Sequence, residues 1–398
     1  MNPPESFDYK HVGGRFLGLA ALAFALVAVL FGSAAYFAST GNEAQIRQFA
    51  FSYLFAYAFY FTICAGCLFW TIVHHAVDAE WSVVVRRVLE NLGSLLLTLM
   101  ILFIPFLFVA PRLWEWMTLD PAKDHLLYLK QPWLADWFFW LRTSMYFLVL
   151  VLAAVLLRAF SVAQDANGDP RFTVFNRRVA FASAIPFAIC LTFAGVDWLM
   201  ALDFRWFSTM WGVYVFAGSA LSAMCVLVLV VTALKNVGHM RYVTLEHYHI
   251  MGKLMLSFTI FWAYIAFSQY MLIWYANIPE ETVYYLLRTS GSWWYLSQFL
   301  VIGHFFVPFL LLLFLRGKRD RRFLCVMALW ILFMHMMDLY VVVLPVLHTA
   351  GVSMSLYDVL SLATIGCVLA LVFLKKLGDS SLYPNGDPRL PQSENLQN

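Results

Sequence analysis

His335 and Asp338 lie three residues apart in a stretch, residues 321–345, that is almost wholly apolar once its two opening arginines are passed. Residues three apart share one face of a helix, so an imidazole and a carboxyl would project together from an apolar wall. Ionisable groups inside membrane-spanning segments are costly, and where they occur they mark pathways or sites. A His and a carboxylate can accept the protons that a quinol releases as it loses electrons, or hand protons along a path. The competing reading is structural, with Asp338 as the ion-pair partner of Arg142 or His304. Asp197 near the end of the run 174–199, Asp203 and Arg205 just beyond it, and Asp358 at the entry of the last run complete this first set.

Two further sets follow. His304 stands alone among the candidates in the run 292–316, about 16 Å along the helix from the Trp293-Trp294 pair, with Gln269 and Tyr264 of the run 249–276 at related depths. It is either a hydrogen-bonded packing residue or a link between the carboxylates above and an entrance from the other side. That entrance is sought among His74, His75, Asp78, Glu80, Glu90, Glu246, His247, His249 and Lys253, of which His75 and Glu90 are the candidates. Arg142 joins His335 and Asp338 as a candidate contact for a quinone. His247 and His249 are two apart and do not face one another on a helix, so no metal site is expected there. Cys64 and Cys67 have redox-motif spacing, but Leu68 follows where covalent haem attachment needs a His, and they read as small packing residues. The six cysteines all fall in predicted spans and offer no disulfide framework.

The elements that carry these groups are set by composition. A chain of 398 residues that is 62% hydrophobic and 12% charged, with mean hydropathy +0.75, lacks the polar residues to cover a water-soluble surface. Runs of about 20 residues or more, enough to cross the hydrocarbon core, occur at about 16–38, 50–74, 84–109, 137–163, 174–199, 207–235, 249–276, 292–316, 321–345 and 354–376. An all-α integral membrane protein of about ten transmembrane helices is expected. The first run exceeds the apolar core of a signal peptide and is read as a retained span.

All but seven of the 26 Lys and Arg residues, the exceptions being Arg47, Arg112, Lys123, Lys130, Arg142, Arg205 and Arg288, fall on the side of the N-terminus. Cytoplasmic loops retain basic residues, so both termini are expected in the cytoplasm. The net charge of +3 is then a topology signal, with no nucleic-acid partner implied. The longest connection on the opposite side, about 110–136, carries Trp114 and Trp116, and with Trp133, Trp137 and Trp140 it reads as an interfacial aromatic belt with a short helix lying on the membrane. The segment after Lys376, with Pro384, Gly386, Pro388 and Pro391, reads as a flexible polar tail.

The chain also repeats itself. Phe51-Ser52-Tyr53-Leu54-Phe55 returns as Phe207-Ser208-Thr209-Met210-Trp211, Leu92-Gly93-Ser94-Leu95 as Met251-Gly252-Lys253-Leu254, Asp136-Trp137 as Ser292-Trp293-Trp294, and Asn176-Arg177-Arg178 as Asp320-Arg321-Arg322. An offset of about 145 to 160 residues suits a duplicated four-helix unit. The expected organisation is a cytoplasmic N-terminus with a flanking helix (1–48), a first four-helix bundle (49–200), a second (201–346), another flanking helix (347–376) and the cytoplasmic tail (377–398). Asp197 and Asp338 then occupy comparable places in the last helix of each bundle, whereas His304 and His335 belong to the second alone.

This organisation resembles the NrfD-like polysulfide-reductase membrane subunits, and more narrowly the second, smaller NrfD-like subunit of alternative complex III, a bacterial quinol:cytochrome c oxidoreductase. The segments that carry the resemblance are Phe51 to Tyr60 with its continuation to His74-His75, Asp197-Trp198-Leu199-Met200-Ala201-Leu202-Asp203, Gly303-His304-Phe305-Phe306-Val307-Pro308 and His335-Met336-Met337-Asp338-Leu339-Tyr340. It spans about residues 15–376 and rests on order and spacing, since no single motif is diagnostic.

The resemblance implies a bacterial inner-membrane subunit of a respiratory electron-transport complex, with no metal or haem of its own. Its implied partners are a sister NrfD-like subunit, an iron-sulfur subunit and multihaem and monohaem cytochrome c subunits. Iron-sulfur clusters and haem c would therefore sit in the partners, quinone or menaquinone would be the substrate, and electrons would pass to cytochrome c or directly to a terminal oxidase. For this chain it implies quinone binding, proton translocation or both, with catalysis by the chain alone not expected. Two rivals stand beside it. One is a haem b anchor with His304 and His335 as axial ligands; the other is a secondary transporter, although Pro105, Pro186 and Pro308 do not recur at matching repeat positions.

Overall fold

The computed structural model describes residue 7 and residues 13–396. Lys10, counted above among the basic residues, lies outside them, as does the side chain of Arg316. The described chain is all-helical: α1 (Gly13–Ser39), α2 (Glu43–Ala76), α3 (Val83–Gly93), α4 (Leu96–Leu102), α5 (Phe106–Leu113), α6 (His125–Lys130), α7 (Asp136–Asn167), α8 (Pro170–Trp198), α9 (Trp211–Asn236), α10 (Leu245–Ala276), α11 (Pro279–Arg288), α12 (Trp293–Leu300), α13 (Val307–Leu313), α14 (Leu315–Arg319), α15 (Arg321–Val343), α16 (Leu356–Gly378) and α17 (Leu390–Glu394). Nine spans among the described residues are long and apolar enough to cross a membrane, and a tenth is bent by 78° between α4 and α5. The protein is a multi-pass integral membrane protein.

Helix ends are written locally. Gly168, in the left-handed region at φ 65°, closes α7, and Asp169 accepts from the Arg171 amide at 2.8 Å to open α8 with Pro170 in its first turn. Asn277, at φ 50°, closes α10 in the same way before Pro279 opens α11. Each pair of helices joined by these tight caps reverses direction within a few residues.

Two expected spans are not continuous. The run 84–109 breaks after Gly93, and it breaks again at Phe103 because Pro105 has no amide hydrogen to give and the chain turns there. The run 292–316 passes from α12 into a π-helical turn, Val301–Phe306, then into α13, and stops at Phe314, whose backbone is extended. Pro308 is the local cause: without its N–H a carbonyl of the preceding turn loses its helical partner, and Gly303 O instead accepts from Trp330 Nε1 at 2.7 Å.

The helices pack as two groups that share a seam. In the first, α2, the α3–α5 segments, α7 and α8 pack on one another; in the second, α9 and α10 pack together, α9 packs on α15, and α12 and α13 close the group. The seam is α2 against α9, and α1 and α16 pack on each other and on α2 at the side. Helices α2 and α9 are each 78% buried over their most apolar window, against 11% for α1, so the seam is the core and α1 is the lipid-facing flank. Small residues make the seam possible: a Cβ on Gly66 would stand 1.9 Å from the Ser219 carbonyl oxygen, so the two backbones nearly touch. Cys64 and Cys67 lie in this stretch as buried free thiols.

Two surface expectations change. Trp114 and Trp116 are buried, packed on Phe139 at 4.8 Å and 5.6 Å between ring centroids, while Trp137 is 70% exposed and fits a belt. The short helix expected in that connection is α6. The C-terminal segment is docked rather than flexible: Leu382, Tyr383, Asp387 and Ser393 are buried, and Ser393 Oγ donates to Trp81 O at 3.0 Å.

Candidate functional site

His335 and Asp338 face the seam from α15, as their three-residue spacing requires, but each meets a different wall. Asp338 accepts from the Tyr214 hydroxyl of α9 and from Trp262 Nε1 of α10 at 3.2 Å. His335 Nε2 lies 2.9 Å from Thr62 Oγ1 of α2. Since Thr62 donates its single hydroxyl proton to Phe59 O at 2.9 Å, the imidazole must be the donor, which places its proton on Nε2 and leaves Nδ1 as a bare acceptor. That Nδ1 is buried and without a partner among the described residues.

Gly218 of α9 makes room for this ring. A Cβ there would stand 2.9 Å from His335 Cε1. Beside it Thr62, Tyr214, Gly218, His335 and Asp338 line a small cavity with apolar walls from Trp211 and Val215, with room for about one water. A quinone ring or a porphyrin does not fit in that space as packed.

His304 belongs to the same neighbourhood. It is fully buried in the π-helical turn, its ring lies 3.9 Å from the Trp262 ring and 6.5 Å from that of His335, and neither of its nitrogens has a partner among the described residues. Trp262 is therefore the shared element: its indole N–H holds Asp338 while its face covers His304. A π-turn widens the helix by one residue, and here that residue falls where His304 meets Trp262. Tyr264 is 63% exposed, and Gln269 is occupied with Ser208 at 3.0 Å and Tyr285 at 2.9 Å, so neither joins His304.

Asp197 and Arg142 form a separate cluster, which corrects the grouping of Arg142 with His335 and Asp338. Arg142 Nε donates to Asp197 Oδ2 at 2.8 Å and Nη2 to Oδ1 at 2.9 Å; Tyr146 donates to Oδ2 at 2.7 Å and Trp133 Nε1 to Oδ1 at 3.1 Å. The guanidinium also lies over the Trp133 ring at 4.0 Å and the Phe138 ring at 4.4 Å. With four hydrogen bonds received, Asp197 is fully engaged. It ties α7 to α8 and has no lone pair to offer a substrate. The ion-pair reading considered for Asp338 is realised at Asp197 instead, and Asp338 pairs with neither Arg142 nor His304.

At the other end of the helices His75 and Glu90 do meet, with Nε2 3.3 Å from Oε1. Glu90 also accepts from Arg86 Nε at 3.3 Å and Arg87 Nε at 3.0 Å, and Arg87 reaches Asp165 at 2.9 Å. The C-terminal segment covers this network: Arg86 donates to Asp387 at 2.5 Å, Arg389 to Asp78 at 2.6 Å, and Arg87 to Ser381 O at 3.3 Å. Burial opposes ionisation of Asp387, but the charges of Arg86 and Arg389 prevail and hold its carboxyl well below the usual carboxylate range. The same contact raises Arg389 against the opposing effect of burial. His75 and Glu90 are thus sealed from the aqueous side by the docked tail. His247 closes a capping box with Thr244 at the start of α10.

Thr62, Tyr214 and Trp262 are the residues that sequence reading left out of the site. Tyr214 lies within the repeated Phe207 to Phe216 segment, but nothing in the pattern separates it from the rest of the 19 tyrosines; only its placement opposite Asp338 does. No family model matches the chain, and no curated protein matches it.

Proposed function

We propose that the chain is a membrane subunit of a quinol-oxidising respiratory complex of the alternative complex III type, in which the Asp338, Tyr214, His335 and His304 neighbourhood carries protons. The observation that bears the proposal is the contrast between two buried carboxyls. Asp197 is locked to an arginine by two hydrogen bonds; Asp338 has only neutral partners, Tyr214 and Trp262. A carboxyl with neutral partners can gain or lose a proton without breaking an ion pair, whereas one clamped by arginine cannot.

One water in the adjoining cavity would lie within reach of Asp338 and His335, whose Nδ1 is free to accept. His304, with one donor and one acceptor nitrogen unengaged, extends the row of exchangeable groups toward α13. The cavity's size supports proton carriage over a resident quinone, so quinol oxidation is assigned to the sister subunit of the complex. The segments of resemblance, the bacterial inner membrane, the cytoplasmic termini and the iron-sulfur and cytochrome partners belong to this same reading.

Asp338→Asn in the assembled complex, reconstituted in vesicles, tests it. Proton movement per electron should fall while the subunit stays in the complex and cytochrome reduction continues. Unchanged proton stoichiometry with the complex intact would leave Asp338 a structural residue.

A further inference from the structure

A second cavity, unrelated to the Asp338 neighbourhood, opens at the basic face between the end of α9, the start of α10 and the start of α15. It measures ≈ 1020 Å³ out to solvent and is lined by Lys235, Arg319, Arg321 and Arg322, with Tyr248 and Leu245 on its wall. The charges are not equally committed. Arg319 pairs with Glu246 at 2.9 Å and Lys235 donates to Val243 O, but the side chains of Arg321 and Arg322 make no ion pair or hydrogen bond among the described residues. Asp320, the acidic residue of the lining, is spent on capping α15, accepting from the Arg322 amide at 2.8 Å and the Phe323 amide at 3.4 Å. The cavity therefore presents two uncommitted guanidinium groups to whatever enters, beside the amide-rich start of α15.

What lies beside the cavity identifies the entrant. Arg322, Val326, Leu329 and Phe333 fall at i, i+4, i+7 and i+11 and share one face of α15. Below the exposed arginine this face is apolar and uncovered, with Val326 64%, Leu329 59% and Phe333 41% exposed, and Leu245 at the cavity wall is 57% exposed. A free phosphate has no use for such a stripe; a phospholipid does. We infer that this cavity is a binding site for an anionic phospholipid, its phosphate held by Arg321 and Arg322 and an acyl chain lying along Val326, Leu329 and Phe333. Basic pockets between helices at a membrane surface recognise acidic headgroups by this combination of charge and adjoining apolar surface. The bidentate geometry of guanidinium toward phosphate oxygens favours arginine in the role.

The test uses the purified full chain in a neutral detergent, with phosphatidylglycerol, phosphatidylcholine and inorganic phosphate as probes and bound lipid counted by native mass spectrometry. Phosphatidylglycerol should stay bound where phosphatidylcholine does not, and millimolar inorganic phosphate should fail to displace it. The double variant Arg321→Gln/Arg322→Gln should weaken phosphatidylglycerol binding roughly thirtyfold, and Arg322→Gln alone, at an exposed position, roughly fivefold. The charge-matched control Arg178→Gln/Lys375→Gln, at other helix ends of the same face, should bind as the parent does. Equal retention by the two double variants, equal retention of the two lipids, or displacement by inorganic phosphate would each overturn the site.

Discussion

Arg142 grips Asp197 through two near-parallel hydrogen bonds of 2.8 Å and 2.9 Å, tying the start of α7 to the end of α8. The pair is buried, with Asp197 fully enclosed, so it holds only while both members are present. Removing one partner of a buried pair leaves an uncompensated charge and costs about 3–5 kcal/mol. Arg142→Met should therefore lower the thermal unfolding midpoint of the detergent-purified protein sharply, and the double variant Arg142→Met/Asp197→Leu should recover much of the loss. A double variant no more stable than the single one would mean that the pair does not carry the α7–α8 contact.

Tyr214 is the hydroxyl that reaches Asp338 from the neighbouring helix. Tyr214→Phe keeps the ring beside Trp211 and removes only the donor, so the expected cost in stability is about 1–3 kcal/mol. Infrared difference spectroscopy of the carboxyl C=O stretch reads the site directly. The band that disappears in Asp338→Asn should shift in Tyr214→Phe, and an unmoved band would show that Tyr214 does not hydrogen-bond this carboxyl.

The α2–α9 seam makes a harsher prediction. A Cβ on Gly66 would collide with the Ser219 carbonyl oxygen at 1.9 Å and with Ser219 C at 2.5 Å, and both are backbone atoms that cannot rotate away. Gly66→Ala should cost upward of about 1–3 kcal/mol by forcing the helices apart, and Gly66→Val should abolish the monodisperse peak in size-exclusion chromatography. At Gly32, where nothing lies within 4 Å of the added carbon, Ala should be tolerated.

The docked tail has a pH signature. Asp387 is held below its ordinary value in the folded protein, so it contributes stability that is present above the unfolded value of about 3.9 and is lost as pH falls through the lower folded value. Limited proteolysis after Gly378 should be slow at neutral pH and accelerate below about pH 4. Asp387→Asn should be cleaved readily even at pH 7, with the acid-dependent step reduced. Equal cleavage of parent and variant at pH 7 would show that the tail stays down without this ion pair.

The expected helices and the observed ones differ chiefly where proline intervenes. Pro105 and Pro308 both sit inside apolar runs that hydropathy alone reads as unbroken, and a missing N–H leaves no trace in a hydropathy average. The tail from Gly378 departs from its expected flexibility for a related reason. Its prolines and polar residues resemble a flexible segment, but Asp387 and Arg389 answer charges on Arg86 and Asp78, about 300 residues earlier in the chain.

Apolar run lengths determined, from sequence by itself, that this chain crosses a membrane about ten times, because every backbone polar group in lipid must be satisfied within its own helix. The same runs marked His335, Asp338, His304 and Asp197 as exceptional, because charge in such a setting is costly wherever it stands. Which of them is free and which is bound only the tertiary structure decided. Asp197 and Asp338 look alike along the chain, yet one meets an arginine and the other a tyrosine and a tryptophan. That difference lies in the side chains of helices that are neighbours in space and not in sequence.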